Sequence, residues 1–156
     1  MNEPHPITVP QDWSDQVANY DKYFEDLSFC KFLLLLISGR LQRRNPDPWV
    51  QLDKEVKEKL LRRSFTIESA WRNYPQYLET VRKLQQLLNE CLWRFDPVFI
   101  PEDSYYLLGQ MLTGDLCEVD MIMSIEYEFD IDIDDSFFDN DLTMLELVEH
   151  IKSKMS

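Results

Sequence analysis

The sequence predicts an all-α protein. A helical N-terminal region, residues 1–76, with about four helices, packs on an acidic helical bundle, residues 77–156. Three observations predict it. Apolar residues recur at three- and four-residue spacing along most of the chain. Hydrophobic residues make up 44% of the 156, which suffices for a packed core and is too much for a disordered chain. Only 3 glycines occur, which argues against glycine-rich phosphate loops and the many turns of a β fold.

The elements follow in order. The first twelve residues carry Pro4, Pro6 and Pro10 and read as an extended arm. Residues 13–27 place Val17, Tyr20, Phe24 and Leu27 on one helical face. Ser28 opens a second helix to about residue 44, stopped by Asn45-Pro46-Asp47-Pro48. Leu52, Val56, Leu60 and Leu61 stripe a third helix over 49–63, with Asp53/Lys57 and Glu55/Lys59 at favourable spacing. Thr66 starts a short fourth helix, ended by Pro75. Residues 77–93 form a fifth, with Leu78, Val81, Leu84, Leu88, Cys91 and Leu92 on one side. A loop follows from Asp96-Pro97 through Pro101, with a turn near Leu107-Leu108-Gly109. The next helix spans 115–129 on the stripe Leu116, Val119, Ile122, Met123, Ile125 and Phe129. Asp115 and Glu118 have capping-box spacing, as do Thr143 and Glu146 before the last helix. Residues 130–135 alternate acidic and apolar; with no partner strand they read as a loop whose isoleucines plug the core.

Charge divides the chain. Residues 1–76 hold 11 acidic and 11 basic side chains, so the whole net charge of -13 falls in residues 77–156. From Phe95 to Ile151 there are 16 Asp and Glu and no Lys or Arg. Such a chain does not bind nucleic acid, because phosphate contact needs clustered cations. The acidic run reads either as a solvated face that keeps the protein soluble or as a docking surface for a basic partner, since opposite fields speed association; the length of the stretch without a cation favours the second. Cys30, Cys91 and Cys117 are odd in number and far apart, as expected of free thiols in a reducing compartment. The start shows no signal-peptide pattern. The apolar run 32–37 is too short for a membrane span. A soluble cytoplasmic protein is expected.

The segment Asp115-Leu116-Cys117-Glu118-Val119-Asp120-Met121-Ile122-Met123-Ser124-Ile125-Glu126-Tyr127-Glu128-Phe129-Asp130-Ile131-Asp132-Ile133 resembles the second helix of acyl carrier proteins and the loop after it. That pattern is an acid-studded apolar helix ending in E-x-E-F, then D-I-x-I and a Thr-led last helix. The last helix is here Thr143-Met144-Leu145-Glu146-Leu147-Val148-Glu149-His150-Ile151. The resemblance covers about residues 77–154, with the helix at 78–92 as the family's first. It implies a helical bundle whose second helix is what partners recognise. It also implies a phosphopantetheine arm on a serine opening that helix, within Asp-Ser-Leu.

The aligned triplet is Gly114-Asp115-Leu116. A phosphodiester needs a hydroxyl nucleophile, and a carboxylate gives only a labile mixed anhydride. Asp115 still caps the helix, worth about 0.5–2 kcal/mol. The expectation is therefore no phosphopantetheine and no other cofactor. Asp135-Ser136-Phe137 imitates the attachment triplet, but Glu146-Leu147-Val148 lies twice as far downstream as the family pattern wants. Ser136 is the less favoured attachment point.

Other chemistry is sparse. His5 and His150 are too distant to form a metal site or a triad, and His150 reads as a surface residue near a helix C-terminus. Asp130, Asp132 and Asp134 have EF-hand spacing, but Asp135 replaces the loop glycine and Asp141 the bidentate Glu, so no true metal site is expected. Nucleophile-elbow, phosphate-loop and zinc signatures are absent. The expectation is a non-catalytic acidic binding protein. Its partner-facing residues are Asp115, Glu118, Asp120, Glu126, Glu128, Asp132, Asp134 and Asp135. The partner is basic: a toxin such as a nuclease, neutralised by an immunity-type inhibitor, or an enzyme of which this is a regulatory subunit. The alternative is a working acyl carrier protein of fatty-acid or polyketide-type metabolism, modified at Ser136 or another unusual serine.

Overall fold

The computed structural model describes residues 5–25, 47–92, 98–112, 118–138 and 141–155. Among them every named element is helical, and the β pairing is an isolated bridge between Ser104 and Thr143. The chain is all-α. The helix expected over 28–44 and the segment opening at Asp115 lie outside the described residues.

The chain forms two compact units, Val9–Glu55 and Met1–Thr8 with Val56–Ser156. In the first, α1 (Trp13–Glu25) begins where Trp13 N donates to Pro10 O at 3.0 Å. The second helix, α2 (Pro48–Leu61), starts in this unit and ends in the other. Pro48 supplies a pre-set φ at its first position, and Asp47 Oδ1 accepts from Trp49 N at 2.9 Å. Trp13 and Trp49 meet edge to face with centroids 4.6 Å apart. Leu52, Val56 and Leu60 bury their side of α2; Leu61, expected in that stripe, is exposed.

The larger unit is built around α4 (Leu78–Leu92), which follows α3 (Ile67–Ala70) and the 3-10 turn Pro75–Tyr77. Thr66 caps α3 by accepting from Ser69 N, as its position suggested. Packed on α4 are α3, α6 (Glu118–Phe129) and α7 (Met144–Lys154), and α5 (Tyr105–Leu112) packs on α6. Val81, Leu84 and Leu88 of α4 meet Met121, Ile125 and Phe129 of α6 and Leu147, Val148 and Ile151 of α7 in one core. The Thr143/Glu146 capping box is formed in both directions. The Glu146 carboxylate accepts from the Thr143 N–H at 2.8 Å and from its hydroxyl at 2.7 Å, and these two bonds, the N–H contributing most, hold it below the usual range.

Three expectations need correction. Residues 105–112 are the helix α5, not a loop with a turn. Ser104 caps it, its hydroxyl accepting from Leu107 N at 3.2 Å while its carbonyl accepts from Leu108 N. In α6 the buried stripe is Met121, Ile125 and Phe129; Met123, placed in the stripe by the sequence, is 59% exposed. Between α6 and α7, Ile133 plugs the core but Ile131 is half-buried.

Candidate partner-binding face

The end of α6 shows why the sequence reads E-Y-E-F-D-I-D-I there. Phe129 is the last core residue of the helix. Asp130 then adopts φ 52°, in the left-handed region that Asp tolerates better than most residues. This lets Ile131 N reach back to Glu126 O at 3.1 Å, closing the helix with a six-to-one hydrogen bond. The Glu126 carboxylate accepts from Ile133 N at 2.8 Å and fixes the loop that delivers Ile133 to the core. Glu126 therefore has a structural task at one of its oxygens and is half-buried.

The other acids around it point to water. Glu128, Asp130, Asp132 and Asp134 are exposed. Asp134 accepts from Ser136 N at 2.9 Å and from the Ser136 hydroxyl, organising the 3-10 turn Asp135–Phe138. The hydroxyl first, then the N–H, with the field of Lys154 added, hold the Asp134 carboxyl below the usual range. Glu118 and Asp120 lie in the first turn of α6, and Asp135 opens the 3-10 turn. The side chains of these three, and Asp115 altogether, fall outside the described residues. Of the eight acids the sequence singled out, Glu128, Asp132 and Asp134 are exposed and Glu126 is half-buried. Two residues the sequence did not single out for a partner are exposed on α6 as well: Met123 and Tyr127, the latter 89% exposed. The signal for Tyr127 was its place between Glu126 and Glu128, off the buried stripe.

A second cluster holds the larger unit together. Asp103 is fully buried, with Arg63, whose side chain is 5% exposed, paired to it at 2.6 and 2.7 Å. The carboxylate also accepts from Ile7 N and Ile100 N at 2.9 and 2.8 Å. Arg63 further donates to Val98 O and His5 O, and Trp71 Nε1 donates to Phe99 O at 3.1 Å. Ile7 of the arm is buried, and Ser104 N donates to its carbonyl. The arm is therefore part of the bundle. One acid of the cation-free run is a core residue neutralised by Arg63, and does not belong to the acidic face.

His150, expected at the surface, is half-buried. Its Nε2 is enclosed with no hydrogen-bond partner among the described residues, and its ring stacks on Phe137 with centroids 3.9 Å apart. Burial, aided by the nearby Lys154 charge, holds its pKa below the ordinary 6.5. A depressed histidine pKa gives stability that is complete above the unfolded value and lost as pH falls below it. The denaturant midpoint is therefore expected to drop between about pH 7 and pH 5. His150→Phe, which keeps the stacked ring, should flatten the profile in that window. An unchanged slope in that variant would assign the pH effect to other groups.

Among the described residues no group of three or more His, Cys, Asp or Glu is placed to hold a metal ion. Among them, too, no helix is long and apolar enough to cross a membrane. The five residues leading into α6 are Thr113, Gly114, Asp115, Leu116 and Cys117, without a serine. Of the described serines in this half, Ser104 is buried with its hydroxyl donated to Asp141 at 2.5 Å, Ser124 is half-buried, and Ser136 and Ser153 are exposed.

These features define a small helical bundle in which α6 exposes Met123, Tyr127 and Glu128. The chain is 31% identical over 78 residues to an acyl carrier protein from Cylindrotheca sp. (strain N1), a match spanning 49% of this chain and 94% of that protein. The chain belongs to the acyl carrier protein family. No family model matches it, nor does any solved structure.

Proposed function

We propose that this member of the family binds and does not carry: a non-catalytic protein that docks a basic protein partner through the acidic side of α6 and the loop after it, without a phosphopantetheine arm. The observation that carries the reading is the residue at the family's attachment register, Asp115 before Leu116, where no hydroxyl is available for a phosphodiester. The unbroken acidic run from Phe95 to Ile151 supports the partner's charge. The neutral N-terminal region, which a carrier does not need, favours an inhibitor of the immunity type over a shuttle; a regulatory subunit is the other form the same docking takes.

Co-expression of the full chain with a phosphopantetheinyl transferase, followed by intact-mass measurement, tests the armless state. The expected mass is that of the bare polypeptide. A gain of one phosphopantetheine that disappears in Ser136→Ala would instead establish a working carrier, because Ser136 is exposed.

A further inference from the structure

We propose that His150 and Phe137 make the 3-10 turn Asp135–Phe138 an acid-released latch: a proton on the His150 ring breaks its stack on Phe137 and frees the turn, while the core around α4 stays folded. The geometry carries this. The His150 Nε2 is enclosed, with no hydrogen-bond partner among the described residues. Its ring stacks on Phe137 with planes 20° apart. Phe137 meets Phe138 edge to face, and the Phe138 ring lies 5.3 Å from that of the buried Tyr105 at the start of α5. The histidine is thus the α7 end of an aromatic row that ties the turn to α7 and to α5.

A neutral imidazole keeps one nitrogen as an acceptor, whereas the imidazolium donates from both. An enclosed donor without an acceptor, carrying charge, is costly. The carboxylates on the surrounding elements are engaged elsewhere. On α7, Glu146 accepts from Thr143, and Glu149 from the Tyr77 hydroxyl of the turn Pro75–Tyr77. Asp134 accepts from Ser136, and Asp141 from the Ser104 hydroxyl. On α4, Glu79 and Lys83 are exposed, and the exposed Arg82 pairs with Glu68. Lys152 of α7 is exposed too, and Lys154, one turn beyond His150, sets its charge against protonation.

The turn is the part that gives way. His150 is set on α7 among Leu147, Val148 and Ile151, all fully buried. The turn has four residues, closed by Phe137 N donating to Asp134 O at 2.9 Å, and both of its phenylalanines are only half-buried. Segments with few buried contacts open at the lowest free energies.

NMR of the full chain at pH 7 and pH 5 tests the latch. As the His150 ring titrates, the NOEs between the His150 and Phe137 rings should fall about tenfold. The amides of Leu84, Ile125 and Leu147 should stay protected from hydrogen exchange. His150→Phe, which keeps a stacked ring that cannot be protonated, should leave the Phe137 and Phe138 signals alike at both pH values. Loss of the ring NOEs together with core protection would overturn the latch and leave only a global effect of pH on stability. Ring NOEs that persist at pH 5 would overturn it too, the result if the Phe137 face retains the cation. The same change of the Phe137 signals in a folded His150→Phe would assign it to other groups and overturn it as well. The comparison of turn with core in the native chain decides even where that variant does not fold.

Discussion

Asp103→Ala is expected to lower stability by about 3–5 kcal/mol, a large part of what a domain of this size possesses. The size follows from what is left behind. Arg63 remains charged in the interior with its bidentate partner gone, and the amides of Ile7 and Ile100 lose their acceptors. A buried ion pair removed from one side is costly even where the intact pair adds little over an apolar substitute. Replacing both partners by apolar residues should not restore the loss here, because the carboxylate also serves those two backbone donors. Urea unfolding followed by circular dichroism measures the difference. The arm should also become cleavable by protease near residues 5–8, since the hydrogen bonds of Ile7 run to the Asp103–Ser104 segment, beside the Arg63 contact to His5. A loss below about 1 kcal/mol would mean that water replaces the carboxylate and that the centre is not closed.

The same centre explains why the carrier-like portion includes more than the resemblance covers. Arg63 and Trp71 lie upstream of residue 77, yet they hold the carbonyls of Val98 and Phe99, and the segment from 98 to 104 positions α5 and the start of α7. Met144 N donates to Asp103 O, and Leu145 N to Pro101 O. A sequence reveals amphipathic periods and caps, which is why α4, α6 and α7 and the Thr143 box were legible. It does not reveal which acid is buried, so Asp103 was counted with the surface.

The helix α5 escaped for another reason. Tyr105-Tyr106-Leu107-Leu108-Gly109-Gln110-Met111-Leu112 is apolar all round, with a glycine inside and no polar side to set a 3.6-residue period. In α6, Met121 and Met123 are chemically equal, and the position of the core alone selects the first. Glu126 looked like an outward acid because only the folded loop brings Ile133 N to it. The exposed acids at 128, 132 and 134 were legible from charge alone.

The second large effect is electrostatic. Reversing Glu128 and Asp132 to Lys should slow association with a basic partner about ten- to a hundredfold at low salt, with little effect on folding, since both side chains are exposed. Reversing Glu55, exposed and in the charge-balanced region, should change the rate far less. Long-range attraction is screened as the Debye length shrinks from about 10 Å at 0.1 M salt to about 3 Å at 1 M, so the difference between the two variants should fade as salt rises.

The most direct measurement presents the tagged full chain and its Glu128→Lys/Asp132→Lys variant to an extract of the native host, at low and at high salt, and identifies what each retains by mass spectrometry. The account predicts one or a few basic proteins held by the native chain at low salt, released at high salt and missing from the variant. Retention of acidic or neutral proteins, equal for both chains and indifferent to salt, would contradict it.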